Sequence, residues 1–553
     1  MKAQRKTEQK VRGGLACFLA LSLSSIAASH EVDFSIVMPE ADRVDLVGSF
    51  NHEKISDSSR MSNENGIWRK TLTLDDGTYT YNFKVEEKWL LDWKSSGETR
   101  KKRGRSSSIL VIPDDLDTFR ARQQHASTTE QRIEVPLFYD RYSENGSSSR
   151  PVGYAFCPLQ TIPPAGDWKL PDFEGSRPLF TVITLGQSTF LAAFDQPPAA
   201  TSLYKRAYFD RNGNHDLTDD EPLDGKARTF SQSSYFDCSF PAIDLEIDVG
   251  GHRMPYCLNL RLNGNISEQP SGDLEDSEVV RNMRVLAMPY CSYLGELALD
   301  GIGYRVALGD STANGSFDQM ALLEKDRPYS KQRLNAQGDS FFIAASARIA
   351  STDGLMLGRY LALGDHLFEV QIDIPAGHMT LTPWQTDLGT LELPSPIRSM
   401  TLLSTTDSGG IMMVRTGERI DVPSGTYRLM DYQQIKTDGW GDEWLLRATG
   451  SGDSSPITVP LNGSVSLPIG EPLQAVISIA DWSLQQAVAK GALRITFNLI
   501  GSVNEQITDL RRISGTHTQH KLAKRDTNRP EEPTYRIIKP DGERITSGSF
   551  EYG

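Results

Sequence analysis

Apolar side chains in this 553-residue chain recur at every second position in short runs, the spacing of extended strands with one face buried. Tyr79, Tyr81, Phe83 and Val85 form one such series, and Phe34, Ile36 and Met38 another. Leu179 to Leu185, Leu258 to Leu262 and Phe368 to Ile374 are further β-type runs. Glycine and proline, 45 and 29 in number, interrupt the runs before any becomes long. Only Ser483 to Ala489 carries spacing that suits a helix. A chain patterned this way is expected to be all-β, built from tandem immunoglobulin-like β-sandwiches.

At about 150 residues per domain the length accommodates three or four domains, and 38% hydrophobic with 24% charged residues is a globular composition. Residues 1–29 read as a secretory signal, with Lys2, Arg5, Lys6, Lys10 and Arg12 before the apolar stretch Leu15 to Ala28, and small residues at Ala27-Ala28-Ser29 for cleavage. Residues 31–113 read as a first sandwich, with Asn65-Gly66 and Asp75-Asp76-Gly77 at its turns. The polar stretch 114–134 reads as a linker, part of it helical. A central β region follows over 135–385. Closely spaced prolines from Thr382-Pro383 to Leu393-Pro394 mark a boundary before a second immunoglobulin-like sandwich at 386–510. A polar linker and terminal hairpin fill 511–553.

Within the first sandwich, Val44-Asp45-Leu46-Val47-Gly48-Ser49-Phe50-Asn51, Gly66-Ile67-Trp68, Gly77-Thr78-Tyr79-Thr80-Tyr81-Asn82-Phe83-Lys84-Val85 and Ser108-Ile109-Leu110-Val111-Ile112 run in order. This stretch resembles the glycogen-binding module, an immunoglobulin-like β-sandwich of the E-set type found in glycogen branching and debranching enzymes and in the β subunit of AMP-activated protein kinase. The resemblance covers about eighty residues of 553 and implies a glucan site. It places Trp89 at a stacking position and Trp93 where the family usually has proline. The family's other stacking aromatic gives way to His52-Glu53-Lys54, its lysine to Asn82, and its asparagine pair to Ser107-Ser108. The rest of the chain is similar to large uncharacterised secreted bacterial β-proteins, a likeness that carries no activity.

Removing the signal takes away five basic residues and Glu8, so the formal charge moves from −14 to −18. So acidic a body argues against a nucleic-acid partner, and no later segment has the ~18 uninterrupted apolar residues of a membrane helix. Cys157, Cys238, Cys257 and Cys291 then remain, an even number in an oxidising compartment, and two disulfides are expected. Cys238 with Cys257 is an attractive pair, because both flank the alternating run Ile243 to Val249 that ends in Gly250-Gly251.

The chemistry concentrates in Asp210-Arg211-Asn212-Gly213-Asn214-His215-Asp216-Leu217-Thr218-Asp219-Asp220-Glu221. Oxygen ligands at positions 1, 3 and 5, a carbonyl at 7 and an acid at 12 match the spacing that wraps Ca²⁺, which makes Asp210, Asn212, Asn214, Asp216 and Glu221 the expected ligands. His215 stands where the pattern has glycine, and Pro222 blocks a following helix, so the loop resembles a lone dockerin-type calcium loop. Asp310 to Asp318 echoes it without an acid at position 12. Gly309-Asp310-Ser311 superficially looks like the nucleophile motif of secreted esterases, but that family's Asp-x-x-His partner is missing from the sequence. Arg100-Lys101-Lys102-Arg103-Gly104-Arg105 is a basic run in an acidic chain and reads as a solvated loop or a contact for an anionic glycan.

The expectation is therefore a secreted, periplasmic or cell-envelope protein of non-catalytic type. It would bind or organise polysaccharide, either glucan or an anionic glycan, with calcium stiffening its central region. A ligand-free structural envelope protein and an enzyme on an unfamiliar β scaffold are the alternatives.

Overall fold

The computed structural model describes residues 28–550 apart from 40, 65, 93, 96–98, 103–104, 125, 129–131, 143–152, 197–203, 230–234, 266–282, 325–333, 346–352, 408, 480–482, 485–492, 516–520 and 524–527. Most of the signal segment, Trp93 and most of the Ser483 to Ala489 stretch lie outside the described residues. Strands make up 58% and helix 4%, so the chain is all-β with several packed sheets.

The N-terminal module packs the sheet of Ser29–Val37, Ile67–Asp75 and Ser62–Glu64 against that of Val44–Gly48, Gly77–Val85, Arg105–Ile112 and Thr99–Lys102. Gly66 turns the chain at φ +86°, with Pro39 about where a Cβ would stand. Phe34 meets Tyr81 edge-on at 5.0 Å in the core, and Phe119 at 5.4 Å. Phe119 belongs to the helix Leu116–Arg122, inside the expected linker. Its spacing of three from Leu116 puts both on the buried helix face, where they complete the sandwich core. That part of 114–134 is thus a piece of the module rather than a tether.

Alternation along Ser29–Val37 holds only at its start, because from Ser35 onward both faces are covered. On the far face Ser35 receives the Lys94 ammonium, at 2.8 Å from its carbonyl oxygen, and Lys94 lies 3.8 Å from Glu296 of the central region. Arg305 approaches Glu296 from the other side at 3.4 Å. Arg122 adds a hydrogen bond to the Tyr139 carbonyl at 3.0 Å. The module is therefore docked on the central region through charges removed from water.

Three smaller sheets of the central region share one core, which runs from Ile133 to Val414. The largest sheet does not stop at the expected 385/386 boundary. It runs from Gln474–Ile479 through Gly425–Thr437, Ile397–Ser404 and Gly410–Thr416 to Tyr360–Leu363, His366–Asp373, His378–Pro383, Ile133–Pro136 and Ser127–Thr128. At its middle, Tyr360–Leu363 lies parallel to Gly410–Thr416, with Leu361 opposite Met412, Ala362 opposite Met413 and Leu363 opposite Val414. Leu361, Leu363, Met412 and Val414 face the central core, while Ala362, Ile411 and Met413 face the C-terminal one. The second core is closed by the small sheet of Arg419–Pro423, Leu388–Glu392 and Ser464–Ser466. The two regions meet across one sheet rather than at a linker.

The pairing of Cys238 with Cys257, attractive among the possible connectivities, does not form. The run Ile243–Val249 does fold back on His252–Asn265, but Cys257 falls opposite Asp244 and Cys238 opposite Leu262. Five residues of strand, about 16 Å, separate those positions, far beyond the roughly 7 Å that a disulfide spans. All four cysteines are free thiols. Burial pushes Cys157 and Cys238 up to about 11 and Cys291 to about 12, away from the reactive thiolate.

Glu296→Ala should leave Lys94 and Arg305 as buried cations without the acid between them, at a cost of about 3–5 kcal/mol. Urea unfolding should show a separate early transition of the N-terminal module, and a single unchanged transition would contradict the docking account.

Candidate functional site

Two loops one hundred residues apart have the same local design. Arg206–Phe209 leads into the Asp210 loop and Ile302–Gly309 into the Asp310 loop, and each strand is hydrogen-bonded to the one before it. Asp210 Oδ1 accepts from the Asn214 amide at 3.1 Å and Oδ2 from His215 at 3.0 Å. Asp310 does the same with Asn314 at 3.2 Å and Gly315 at 2.8 Å. Asn214 Oδ1 accepts from Asp216 N, and Asn314 Oδ1 from Ser316 N, each at 2.8 Å. Positions 4 and 6 take positive φ in both: Gly213 +69° and His215 +67°, Ala313 +52° and Gly315 +84°. Position 8 is a buried anchor in each, Leu217 or Phe317. The left-handed turn explains why glycine is preferred at position 6, since a Cβ is crowded there. His215 adopts it with its ring packed against Trp168 at a tilt of 36°, centroids 4.1 Å apart.

The loops differ at position 10. In the first, the Asp219 carboxylate accepts from Asn214 Nδ2 at 2.7 Å and Asn212 Nδ2 at 3.4 Å. In the second, the Gln319 carbonyl accepts from Asn314 Nδ2 at 2.9 Å and Thr312 Oγ1 at 3.1 Å. An amide has thus replaced an acid at the centre of an otherwise matching turn. Asp210, Asn212, Asn214 and Asp219 thus gather in the first loop, where the Asn212 and Asn214 Oδ1 atoms accept from the Asn214 and Asp216 amides and their Nδ2 groups donate to Asp219. Burial raises Asp220 above the ordinary carboxylate range, opposed by the Arg211 amide, and Asp219 and Asp210 push it further.

At position 7 the expected group is the Asp216 carbonyl, and its carboxylate turns outward to Lys169 Nζ at 2.7 Å. That contact, with the Thr218 hydroxyl, holds it down at about 2. The strap carrying Lys169 also donates its backbone N–H to the His215 carbonyl at 2.9 Å and accepts from Leu217 N at 3.0 Å. The acid that closes on Asn212 and Asn214 is Asp219, two residues ahead of the expected Glu221. Among the described residues no group of three or more His, Cys, Asp and Glu side chains is arranged to hold a metal ion. The set here counts two such acids and two amides.

In the second loop Ser311 Oγ is hydrogen-bonded to Ser340 Oγ, and its amide donates to Asp339 Oδ1 at 3.1 Å. Asp339, not singled out by the sequence, is fully buried and also accepts from Gln319 N at 2.9 Å. Burial, then the neighbouring Asp310 carboxylate, push it up to about 8.

In the N-terminal module Trp89 is half-buried on Lys88–Leu90, opposite Lys84. The polar residues at the clamp positions point inward. Asn82 donates to the Ser106 carbonyl at 3.0 Å and accepts from Ser107 Oγ at 2.7 Å, while Ser108 Oγ accepts from Asp92 N at 2.8 Å. The basic run forms a hairpin, with Lys102 opposite Arg105.

Among known proteins, no family model and no curated protein matches the chain. No helix of the described residues is long and apolar enough to cross a membrane.

Asp339 keeps a proton in the folded chain that the unfolded chain has lost above its ordinary 3.8. Its contribution to stability is therefore full below that value and is lost as pH rises to about 8. Asp339→Asn should flatten this part of the pH profile of thermal unfolding, and an unchanged slope would refute the assignment.

Proposed function

We propose that this is an exported, non-catalytic multidomain β protein that binds or organises glycan outside the cytoplasm and is stabilised by calcium at the Asp210 loop. The observation that carries the reading is the contrast at position 10. One turn keeps an acid on the Asn212 and Asn214 amides, while its twin fills that place with the neutral amide of Gln319. Hard oxygen donors at these positions suit Ca²⁺ over softer ions. Asp210, Asn212, Asn214 and Asp219 would hold it, and the cation would supply charge neutralisation with no chemical step. Lys169 fixes the loop from outside by engaging Asp216.

For the glycan part, Trp89 is the side chain that would stack on a sugar ring, and the basic hairpin would favour an anionic polymer. The second reading, an envelope protein whose modules only pack, is favoured by Asn82, Ser107 and Ser108, which spend their hydrogen bonds inside the module.

Calcium should raise the melting temperature in proportion to mass action, about 2.7 kcal/mol at a hundred times Kd. Asp219→Asn should abolish the response. An unchanged melting curve on adding chelator would remove the calcium reading. On immobilised glucan and sulfated polysaccharide, Trp89→Ala should cost 2 kcal/mol or more, about thirtyfold in affinity. No retention of the wild type on either polymer would favour the packing-only reading.

A further inference from the structure

The largest sheet ends in two very different ways. One end is the two-residue strand Ser127–Thr128, and the other is Gln474–Ile479, six residues long and, among the described residues, paired only with Ile495–Ile500. Several other sheets end in strands that are short, such as Gly354–Met356, or charged, such as Thr99–Lys102 and Lys226–Thr229, and the long uncharged end strand Leu179–Leu185 is mostly buried. Short length and lysine are the usual means of keeping an edge from pairing with another chain. Gln474–Ile479 has neither, nor any proline.

Its side chains sort cleanly. Ala475, Ile477 and Ile479 stand opposite Leu499, Phe497 and Ile495, so these six share one face. Gln474, Val476 and Ser478 lie on the other, where Asn498 Nδ2 donates to Ser478 Oγ at 3.1 Å. Phe497 is covered from the inner side by Phe550 of the terminal hairpin, ring centroids 5.5 Å apart. Towards the edge the apolar face lies open, with Ile477 at 60% exposure and Val476 on the opposite face at 40%.

We infer that two copies of this chain pair edge to edge through Gln474–Ile479, antiparallel about a twofold axis at Ile477. In this register Ile477 faces its own copy and Ile479 faces Ala475, so both apolar faces fall on the same side and run together. The charge pattern selects this occupant. Each chain carries −14 overall, yet the twelve residues of the two outer strands contain no ionisable side chain. Two copies can thus meet here without opposing like charges, whereas a charged partner finds nothing to pair with. An isologous contact of this kind closes as a dimer instead of growing.

The test is the mass of the full chain by sedimentation over a concentration series, with three variants. The wild type should double its mass with rising concentration. Ile477→Lys sets like charges face to face and should return the monomer, with the folded spectrum kept because the site is exposed. Ile513→Lys, a comparably exposed position away from the edge, should stay dimeric. Ile477→Cys with a mild added oxidant should give a covalent dimer absent from the wild type. A wild type that remains monomeric, a dimer that survives Ile477→Lys, or one that Ile513→Lys also dissociates would overturn the proposal.

Discussion

Burial of one strand pair on both faces ties this molecule together. Tyr360–Leu363 and Gly410–Thr416 present alternate side chains to two cores, so neither core can be completed without the other. A strand buried on both sides reads as a continuous apolar run rather than an alternation, and Ile411-Met412-Met413-Val414 is such a run. Polar substitution anywhere in it would expose one core or the other to an unsatisfied group. The parallel pairing adds a long chain excursion between the partners, which makes the central contact late-forming in sequence terms.

The attachment of the N-terminal module follows a different rule. Apolar contact alone would let the module slide, but Lys94, Glu296 and Arg305 are buried and fixed by geometry. Buried ion pairs add little net stability because desolvation opposes them. What they supply here is orientation, since a displaced module would strand a charge. The Ser35 side of the first sheet is consumed in this contact.

Much of the strand content was legible from period-2 spacing, and the hairpin at Ile243–Val249 lies where the residues indicated, whereas the second arm of the terminal hairpin is Arg544–Ser549, ahead of the expected 548–553. The boundary near residue 385 was misleading because prolines mark turns inside a sheet as readily as linkers between domains. Helix Leu116–Arg122 was hidden in a polar stretch, since two apolar residues suffice to anchor so short an element. At the loop, the turn around Asp210, Asn212 and Asn214 was readable from spacing. The contact of Asp219 with Asn214 was not, because it depends on the path the chain takes after Leu217, where Pro222 and the strand Leu223–Asp224 lead it away from a helix. The Cys238–Cys257 pairing failed for a related reason, as strand register sets the two apart and places Cys291 beside Cys257 instead.

The docked module also bears on how the chain would transmit load. A module on a polar tether behaves as an entropic spring, soft at small extension. One held by Lys94, Glu296 and the Arg122 contact to Tyr139 behaves as a bracket. Tension applied to the module would pass directly into Cys291–Leu299 and Ile302–Gly309, the hairpin that ends in the Asp310 loop. Force on the module and order in the Asp310 loop are thereby coupled through this hairpin and the strand Phe138–Arg141 beside it.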